Sequence, residues 1–314
     1  MKELSTQLGV DVSIVIPVKN GRRHLAEVLD AILAQRSPYR LELIAIDSGS
    51  TDGSLDLIRS RPVRLLTIPS SQFNHGLTRN LAIEKSSGRF IVLLTQDATP
   101  VGDSWLETIV RNLEDETVAG AYGRQMPRPD ADPITKHNLE NWITGRADRR
   151  VNAMGSEEYQ QLQPYDRYLR CYFDNVCSAI KRSIWERFPF PTTYFAEDCE
   201  WGKNVLLAGY RTVYEPQAAV LHSHDRTALY EYRRTYVCHR RLQELFELRT
   251  IPTRLSLFRA FISECRNHAR ILRDNGAGVF RLASIPAFAL ASTAGQYFGA
   301  AAEILHKPLP RWQV

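Results

Sequence analysis

Several common signatures are missing from this chain of 314 residues, and each absence argues against a class of protein. Its five cysteines are odd in number and none belongs to a CxxC pair, which disfavours both a disulfide framework and a thiolate zinc site. No GxGxxG follows the first apolar run and there is no GxxxxGKS motif, so neither the dinucleotide fingerprint nor a P-loop is available. The first residues lack the long apolar segment of a signal peptide, so we expect a cytoplasmic location.

Charge is distributed unevenly along the chain. The whole sequence has a formal net charge of +5, yet residues 226–314 alone carry a surplus of eight basic residues, which leaves −3 for residues 1–225. A basic segment favours an anionic partner such as a membrane lipid, although a solvated helical face has the same composition. The segment has no recognisable nucleic-acid reader motif, so we expect no nucleic-acid partner.

Strand and helix patterns alternate over the first hundred residues. The β-branched run VSIVIPV precedes a helical pattern, and the apolar runs LELIAI, VRLLTI and FIVLLT follow with helical segments between them. Strands that are apolar on both faces, with helices between them, predict a mostly parallel α/β sheet covered on both sides. Beyond Asp225 the pattern becomes helical. We therefore expect an α/β domain over residues 1–225 and a basic helical extension over 226–314.

Polar residues follow several of these strands. In open α/β sheets ligands bind beyond the carboxyl ends of the strands, so residues there are candidates for a binding site. Carboxylate and imidazole groups together suit a hard divalent cation such as Mg²⁺ or Mn²⁺. Alternate residues of a strand point to opposite faces, so only one of the two histidines should reach such a cation. The candidate residues are Pro17 and Lys19 after the first strand, Asp47 after the second, Gln96 and Asp97 after the fourth, and His222 and His224 after the last.

Six motifs in order resemble those of one enzyme family. SIVIPVKN, IDSGSTDGS, HGLTRNLA, TQDATP, FAEDCEW and LHSH, spread over about residues 11 to 225, resemble the inverting family 2 glycosyltransferases of the GT-A fold and their bacterial rhamnosyltransferase branch. The resemblance implies a nucleotide-binding half over about 11–123 and an acceptor-binding half over about 124–225. It also implies a nucleoside diphosphate sugar donor and a divalent metal.

The resemblance suggests roles for residues on the donor side. Asp47 matches the residue that hydrogen-bonds the nucleotide base, with Pro17 and Lys19 in the loop beneath it. Arg79 in HGLTRN resembles an arginine that reaches the base or the diphosphate; a solvated helix residue is the alternative interpretation.

A departure from the family pattern affects the metal. Asp97 matches the last Asp of the family's DxD motif, Gln96 occupies its middle position, and Thr95 stands where the first Asp would be. A hydroxyl can bind a ribose but contributes no charge, so metal affinity is expected to be weakened. Asp97 with His222, or with His224 as the alternative, is the expected ligand pair.

The acidic pair in FAEDCEW stands where the family keeps its general base. Asp198 is the preferred candidate and Glu197 the second. Adjacent carboxylates raise each other's proton affinity toward the range that suits a base. Capping of a helix N-terminus is the alternative role. The implied reaction is a single displacement in which the base deprotonates an acceptor hydroxyl.

The rhamnosyl branch implies dTDP-L-rhamnose as donor and a lipid-linked or surface-polysaccharide acceptor. Two alternatives remain open: the same fold using another nucleotide sugar such as a UDP-hexose, and a non-catalytic protein that binds sugar nucleotides or glycans.

Residues 282–302 carry no charge. Their Ser, Thr, Gln, Gly and Pro disfavour a membrane span, which leaves a helix lying on an anionic inner-membrane surface, or a helical hairpin packed on the protein or across a homodimer.

Overall fold

In the computed structural model, which describes residues 9–224 and 227–309, the apolar runs of the sequence form strands of one sheet. Within the described residues this sheet has nine strands: β1 Val12–Val18, β2 Leu41–Asp47, β3 Arg64–Thr67, β4 Phe90–Leu94, β5 Thr99–Pro100, β6 Val118–Met126, β7 Arg150–Ala153, β8 Cys177–Lys181 and β9 Arg211–Leu221. Their order in the sheet is β3-β2-β1-β4-β8-β6-β9-β5, with β7 pairing with β9.

The sheet combines a parallel half with antiparallel strands. β1, β2, β3 and β4 pair in parallel, as the alternating pattern predicts. β8 then runs antiparallel to both β4 and β6, so the sheet as a whole is mixed. This reversal places the start of β8 at the edge where the parallel strands end. The same edge therefore receives residues that precede a strand as well as residues that follow one.

Helices connect and cover the strands. The helix α1 buries Leu25, Val28, Leu29 and Ile32, as its spacing predicts, while Leu33 is 40% exposed. Numbered along the chain, the helices are α1 Arg22–Leu33, α2 Ser54–Arg59, α3 His75–Glu84, α4 Trp105–Val110, α5 Pro133–Asn141, α6 Ser156–Gln161, α7 Pro164–Cys171, α8 Arg182–Arg187, α9 Glu197–Leu207, α10 Ala228–Phe246, α11 Arg254–Asp274, α12 Val279–Ala283 and α13 Ile285–Ile304.

The described residues group into two compact units. The boundary expected between residues 225 and 226 falls on two residues that lie outside the described part. Segments 127–142 and 157–170, expected in the acceptor-binding half, group with the C-terminal helices rather than with the sheet. The first unit comprises 9–126, 143–156 and 171–222, and the second comprises 127–142, 157–170, 223–224 and 227–309.

In the second unit, small residues of α13 pack closely on α10. A Cβ placed on Gly299 would lie 2.2 Å from the carbonyl oxygen of Tyr236, and one on Gly295 would lie 2.8 Å from Cβ of Thr235. Glycine therefore allows the two helix backbones to approach each other. This face of the uncharged segment is a packing surface, while Leu290 and Phe298 on the same helix are 54% and 48% exposed. Within the described ranges no helix has the length and apolar character needed to cross a bilayer.

Candidate active site

Strand register explains why the ends of β1, β2 and β4 share one edge. Val18 pairs with Asp47, so the loops after β1 and β2 begin side by side. The backbone N–H of Lys19 donates to Oε1 of Gln96 at 2.9 Å, and Nε2 of Gln96 donates to the carbonyl of Lys19 at 3.0 Å. This reciprocal pair joins the chain after β1 to the chain after β4. Pro17 lies beyond the last residue of β1 that pairs with β4, where its missing N–H breaks no bond to that strand.

The loop after β2 is held by Lys19, from the loop after β1, and by polar groups of its own. Nζ of Lys19 donates to the carbonyls of Ser48 and Gly49 at 2.9 and 2.7 Å. Oδ2 of Asp47 accepts the backbone N–H groups of Gly49 and Ser50 at 2.8 and 3.0 Å, and Gly49 adopts φ +87°, which suits glycine. Lys19 and Asp47 thereby give the loop a defined shape.

Two polar atoms at this edge lack a hydrogen-bond partner among the described residues. They are Oδ1 of Asp47, a residue only 1% exposed, and the buried Oγ1 of Thr95. A buried polar atom without a partner costs free energy unless a ligand or water satisfies it. Both sequence candidates therefore present hydrogen-bonding capacity suited to a polar ligand such as a nucleoside.

A carboxylate and an imidazole meet beyond β4 and β9. Oδ1 of Asp97 lies 3.7 Å from Nε2 of His222, whose side chain is 8% exposed. Ligand atoms each about 2.1 Å from one cation lie up to about 4.2 Å apart, so a single ion can contact both. The pair fits a divalent cation. His224 follows two residues later, is exposed and belongs to the second unit, so it remains a predicted alternative ligand.

Two residues that sequence reasoning missed lie behind this pair. Nδ1 of His222 lies 2.8 Å from Oε1 of Gln125, and Nε2 of Gln125 donates to Oδ2 of Asp174 at 2.5 Å. Asp174 precedes β8, and it lies at the sheet edge where β1, β2 and β4 end because β8 runs antiparallel to β4. The polar pair Asp174-Asn175 before an apolar run was the signal in the sequence, but it becomes informative only once that direction is known.

The base candidate Asp198 lies in the first turn of α9. Its carboxylate accepts the backbone N–H groups of Asn175 at 3.1 Å and of Cys199 at 2.8 Å. Both bonds favour the charged form, yet burial and the carboxylates of Glu197 and Asp174 act more strongly and raise the pKa of Asp198 to about 8. The direction agrees with the expected effect of adjacent carboxylates. Asp198 is therefore a carboxylate able to accept a proton near neutral pH.

Glu197, the second base candidate, forms an ion pair. Its Oε1 accepts from Nη1 of Arg79 at 2.8 Å, and both side chains are 6% exposed. Arg79 also donates to the carbonyl of His75 within α3. The pair joins α3 to α9 directly beside Asp198, and this arrangement favours Asp198 over Glu197 as the base. The assignment of Arg79 to the base or diphosphate stays a prediction. Trp201, with no exposed surface, belongs to the core.

Comparisons with known proteins agree with the motifs. The family model "Glycosyl transferase family 2" matches residues 13–188. The O-antigen chain rhamnosyltransferase RfbN of Salmonella typhimurium is 32% identical over 72% of this chain and 70% of that protein. WbaN, the O-antigen chain rhamnosyltransferase of Salmonella anatum, is 33% identical over 62% of this chain and 60% of that protein.

Solved structures share the fold. The mannosyltransferase PcManGT from Pyrobaculum calidifontis, in complex with GDP-Man and Mn²⁺, aligns with a TM-score of 0.60 at 19% identity and covers 96% of this chain and 89% of that chain. Glucosyl-3-phosphoglycerate synthase from Mycobacterium tuberculosis, in complex with Mn²⁺, UDP and its product, aligns with a TM-score of 0.54 at 17% identity and covers 76% of this chain and 81% of that chain. At these identities the likeness shows the fold alone.

The buried ion pair generates a stability prediction. Arg79→Met should lower the free energy of unfolding by about 3–5 kcal/mol, because it leaves the carboxylate of Glu197 buried without its cation. The double variant Arg79→Met/Glu197→Leu should recover most of that loss, since no buried charge remains. Urea denaturation of the two variants measures the difference.

An exposed ion pair serves as the control. Arg36 contacts Asp103 at 3.2 Å with side chains 87% and 59% exposed, so Arg36→Met should cost less than about 1 kcal/mol. A loss in Arg79→Met as small as that in Arg36→Met would contradict a structural role for the buried pair.

Proposed function

This chain belongs to glycosyl transferase family 2 and is a glycosyltransferase, and we propose that it transfers L-rhamnose from dTDP-L-rhamnose to a hydroxyl of a lipid-linked or surface-polysaccharide acceptor. The observation that carries the chemistry is that the first unit contains both Asp198, a carboxylate with a raised pKa, and the Asp97–His222 pair. The choice of rhamnose and of a polysaccharide acceptor is supported by the two Salmonella rhamnosyltransferases.

The proposed mechanism is a single displacement. Asp198, in its charged form, accepts the proton of the acceptor hydroxyl as that oxygen attacks the anomeric carbon. The bond from the anomeric carbon to the diphosphate oxygen breaks, so the configuration inverts. Asp47 and Thr95, whose buried oxygens lack partners among the described residues, receive polar groups of the nucleoside, and Lys19 and Gln96 maintain the loops around it.

A divalent ion completes this proposal. Asp97 and His222 would hold Mg²⁺ or Mn²⁺, which would stabilise the negative charge of the departing diphosphate. The PcManGT complex with GDP-Man and Mn²⁺ supports this choice. Only one carboxylate is present at the pair, because Thr95 replaces a second, so we expect weak metal binding.

A donor panel tests the proposed substrate. The protein should release dTDP from dTDP-L-rhamnose in the presence of a lipid-linked acceptor extract, and should release nucleotide from UDP-glucose and GDP-mannose at least tenfold more slowly. Asp198→Asn under the same conditions supplies the background rate. Faster turnover of a UDP-hexose would select the alternative donor, whereas binding of donors without any turnover would indicate a non-catalytic binding protein.

The raised pKa of Asp198 generates a pH prediction. Only the deprotonated carboxylate accepts a proton, so kcat/KM should rise about tenfold per pH unit below about 8 and level off above it. Asp198→Asn should lose about a hundredfold or more in kcat while donor affinity changes little. Glu200→Gln, two positions along α9, is the matched control and should retain most activity and the same pH profile. An unchanged rate in Asp198→Asn would remove this residue from the role of base.

We also propose that the second unit lies against an anionic membrane surface, on the cytoplasmic side of the inner membrane. On α11, Arg259, Arg266 and Arg270 are exposed at helical spacing, and Leu255 and Phe258 are 58% and 63% exposed at its start. Cations beside exposed apolar side chains suit headgroups and the acyl boundary.

Vesicle sedimentation tests this surface. The full chain should sediment with vesicles containing anionic lipid, remain in solution with neutral vesicles, and be released by salt. Arg266→Glu/Arg270→Glu should abolish sedimentation. The control Arg36→Glu/Arg111→Glu makes the same charge change in the first unit and should sediment normally. Equal sedimentation of the two double variants would assign the α11 face to solvent.

A further inference from the structure

A buried carboxylate, Asp174, accepts hydrogen bonds from three different groups. Its Oδ1 accepts the backbone N–H of Val176 at 2.8 Å, and its Oδ2 accepts the hydroxyl of Tyr172 at 3.0 Å and Nε2 of Gln125 at 2.5 Å. Asp174 is 9% exposed. All three groups donate to oxygens of Asp174, so this carboxyl group acts as an acceptor toward each of them.

This acceptor determines the orientation of the Gln125 amide. The amide nitrogen must face Asp174, because the opposite orientation would place the amide oxygen against a carboxylate oxygen. Oε1 therefore faces Nδ1 of His222, 2.8 Å away. Gln125 is 7% exposed, so water does not substitute readily for either contact.

An acceptor opposite Nδ1 requires that Nδ1 carry the proton. In the neutral ring the lone pair then lies on Nε2, the nitrogen 3.7 Å from Oδ1 of Asp97. A histidine can bind a metal only through an unprotonated nitrogen, and the tautomer is set by the hydrogen bond at the other nitrogen. The acceptor character of Asp174 thus determines, through Gln125, that Nε2 of His222, the ring nitrogen facing Asp97, is unprotonated.

We propose that Gln125 and Asp174 are positioning residues that set the tautomer of His222, so that its Nε2 is prepared to bind a divalent cation together with Asp97. The proposal rests on the metal site of the proposed function. Neither residue contacts the cation in this arrangement. If these residues only stabilised the fold, the hydrogen bonds could run in either direction and the tautomer of His222 would not depend on Asp174. The tautomer of His222 can be measured.

The first experiment reads the tautomer directly by long-range ¹H–¹⁵N correlation NMR of ¹⁵N-histidine-labelled protein, without metal or donor, at a pH at which the ¹⁵N shifts report a neutral His222 ring. The His222 signals are assigned by their loss in His222→Gln. The wild type should show Nδ1–H. In Asp174→Asn, the new amide can donate to Oε1 of a rotated Gln125, whose nitrogen then donates to Nδ1. His222 should therefore switch to Nε2–H.

A compensating exchange makes the test specific. In Gln125→Glu/Asp174→Asn the carboxylate at position 125 again accepts from Nδ1–H and from the amide at 174, and total charge equals that of the wild type. This double variant should return His222 to the Nδ1–H form. Tyr172→Phe, which also removes a hydrogen bond to Asp174 but leaves Gln125 in place, should retain the wild-type tautomer.

Mn²⁺ affinity, measured by electron paramagnetic resonance with the metal alone, is the second readout. Asp174→Asn should bind Mn²⁺ about 10–100-fold more weakly, and the double variant should recover most of the affinity. If Asp174→Asn fails to fold, Gln125→Met removes the acceptor without adding charge, and should give a mixture of tautomers and weaker Mn²⁺ binding.

An unchanged tautomer in folded Asp174→Asn, or no recovery in the folded double variant, would overturn the positioning role. Neither readout uses turnover. A tautomer switch accompanied by the expected loss of Mn²⁺ affinity supports the positioning role even if dTDP-L-rhamnose proves not to be the donor, so the two proposals fail separately.

Discussion

Desolvation of three carboxylates is the constraint on which the rest of the site depends: Asp174 and Glu197 are buried, and Asp198 is half-buried. Each is stabilised differently: Glu197 by the guanidinium of Arg79, Asp174 by three neutral donors, and Asp198 by two backbone N–H groups. Burial, and after it the charges of Glu197 and Asp174, raises the pKa of Asp198. Identical functional groups acquire a structural, a positioning and a proposed catalytic role from their surroundings.

This arrangement connects reactivity with stability. The pKa of Asp198 is about 8 in the folded chain and near 4 in an unfolded one, so the folded state binds more protons between those values. Stability from this group is fully present below the unfolded value and is lost as pH rises through about 8. The charged form that can act as a base is thus the form that the fold tolerates least.

The position of several candidate site residues at one sheet edge could be predicted from the sequence, because parallel strands end at a common edge. Asp47 and Gln96 follow apolar runs, and the register of β1 with β2 and β4 brings their loops together. Gln125 and Asp174 could not be found in this way. An apolar run indicates that a strand exists but not its direction, and Asp174 reaches the edge because β8 runs antiparallel to β4. The α/β fold class was predictable because apolar strand runs alternate with helical segments. The antiparallel strands of the sheet were not predictable.

The grouping of segments 127–142 and 157–170 also lay beyond sequence reasoning. Helices α5, α6 and α7 have nine, six and eight residues, too few turns to give a clear period, and chain order alone assigned them to the sheet domain. Segments 127–142 and 157–170 instead group with helices that begin more than fifty residues later in the chain.

The Asp97–His222 pair, which is the proposed metal site, has one carboxylate, because Thr95 stands where the family motif has an Asp. This makes the residues behind the pair more important for metal binding. One carboxylate and one neutral imidazole attract a divalent cation less strongly than two carboxylates and an imidazole would, because the second ligand charge is missing. When charge is scarce, affinity depends more on ligands that already have the correct orientation and protonation, since no free energy is then spent on rearranging them. The hydrogen bonds from Asp174 through Gln125 to His222 provide this orientation from the protein interior. Position 95 carries no negative charge that could repel a bound diphosphate. In the proposed arrangement, the buried carboxylate of Asp174, which would orient His222 as a metal ligand, is separated from the Asp97–His222 pair by the neutral amide of Gln125.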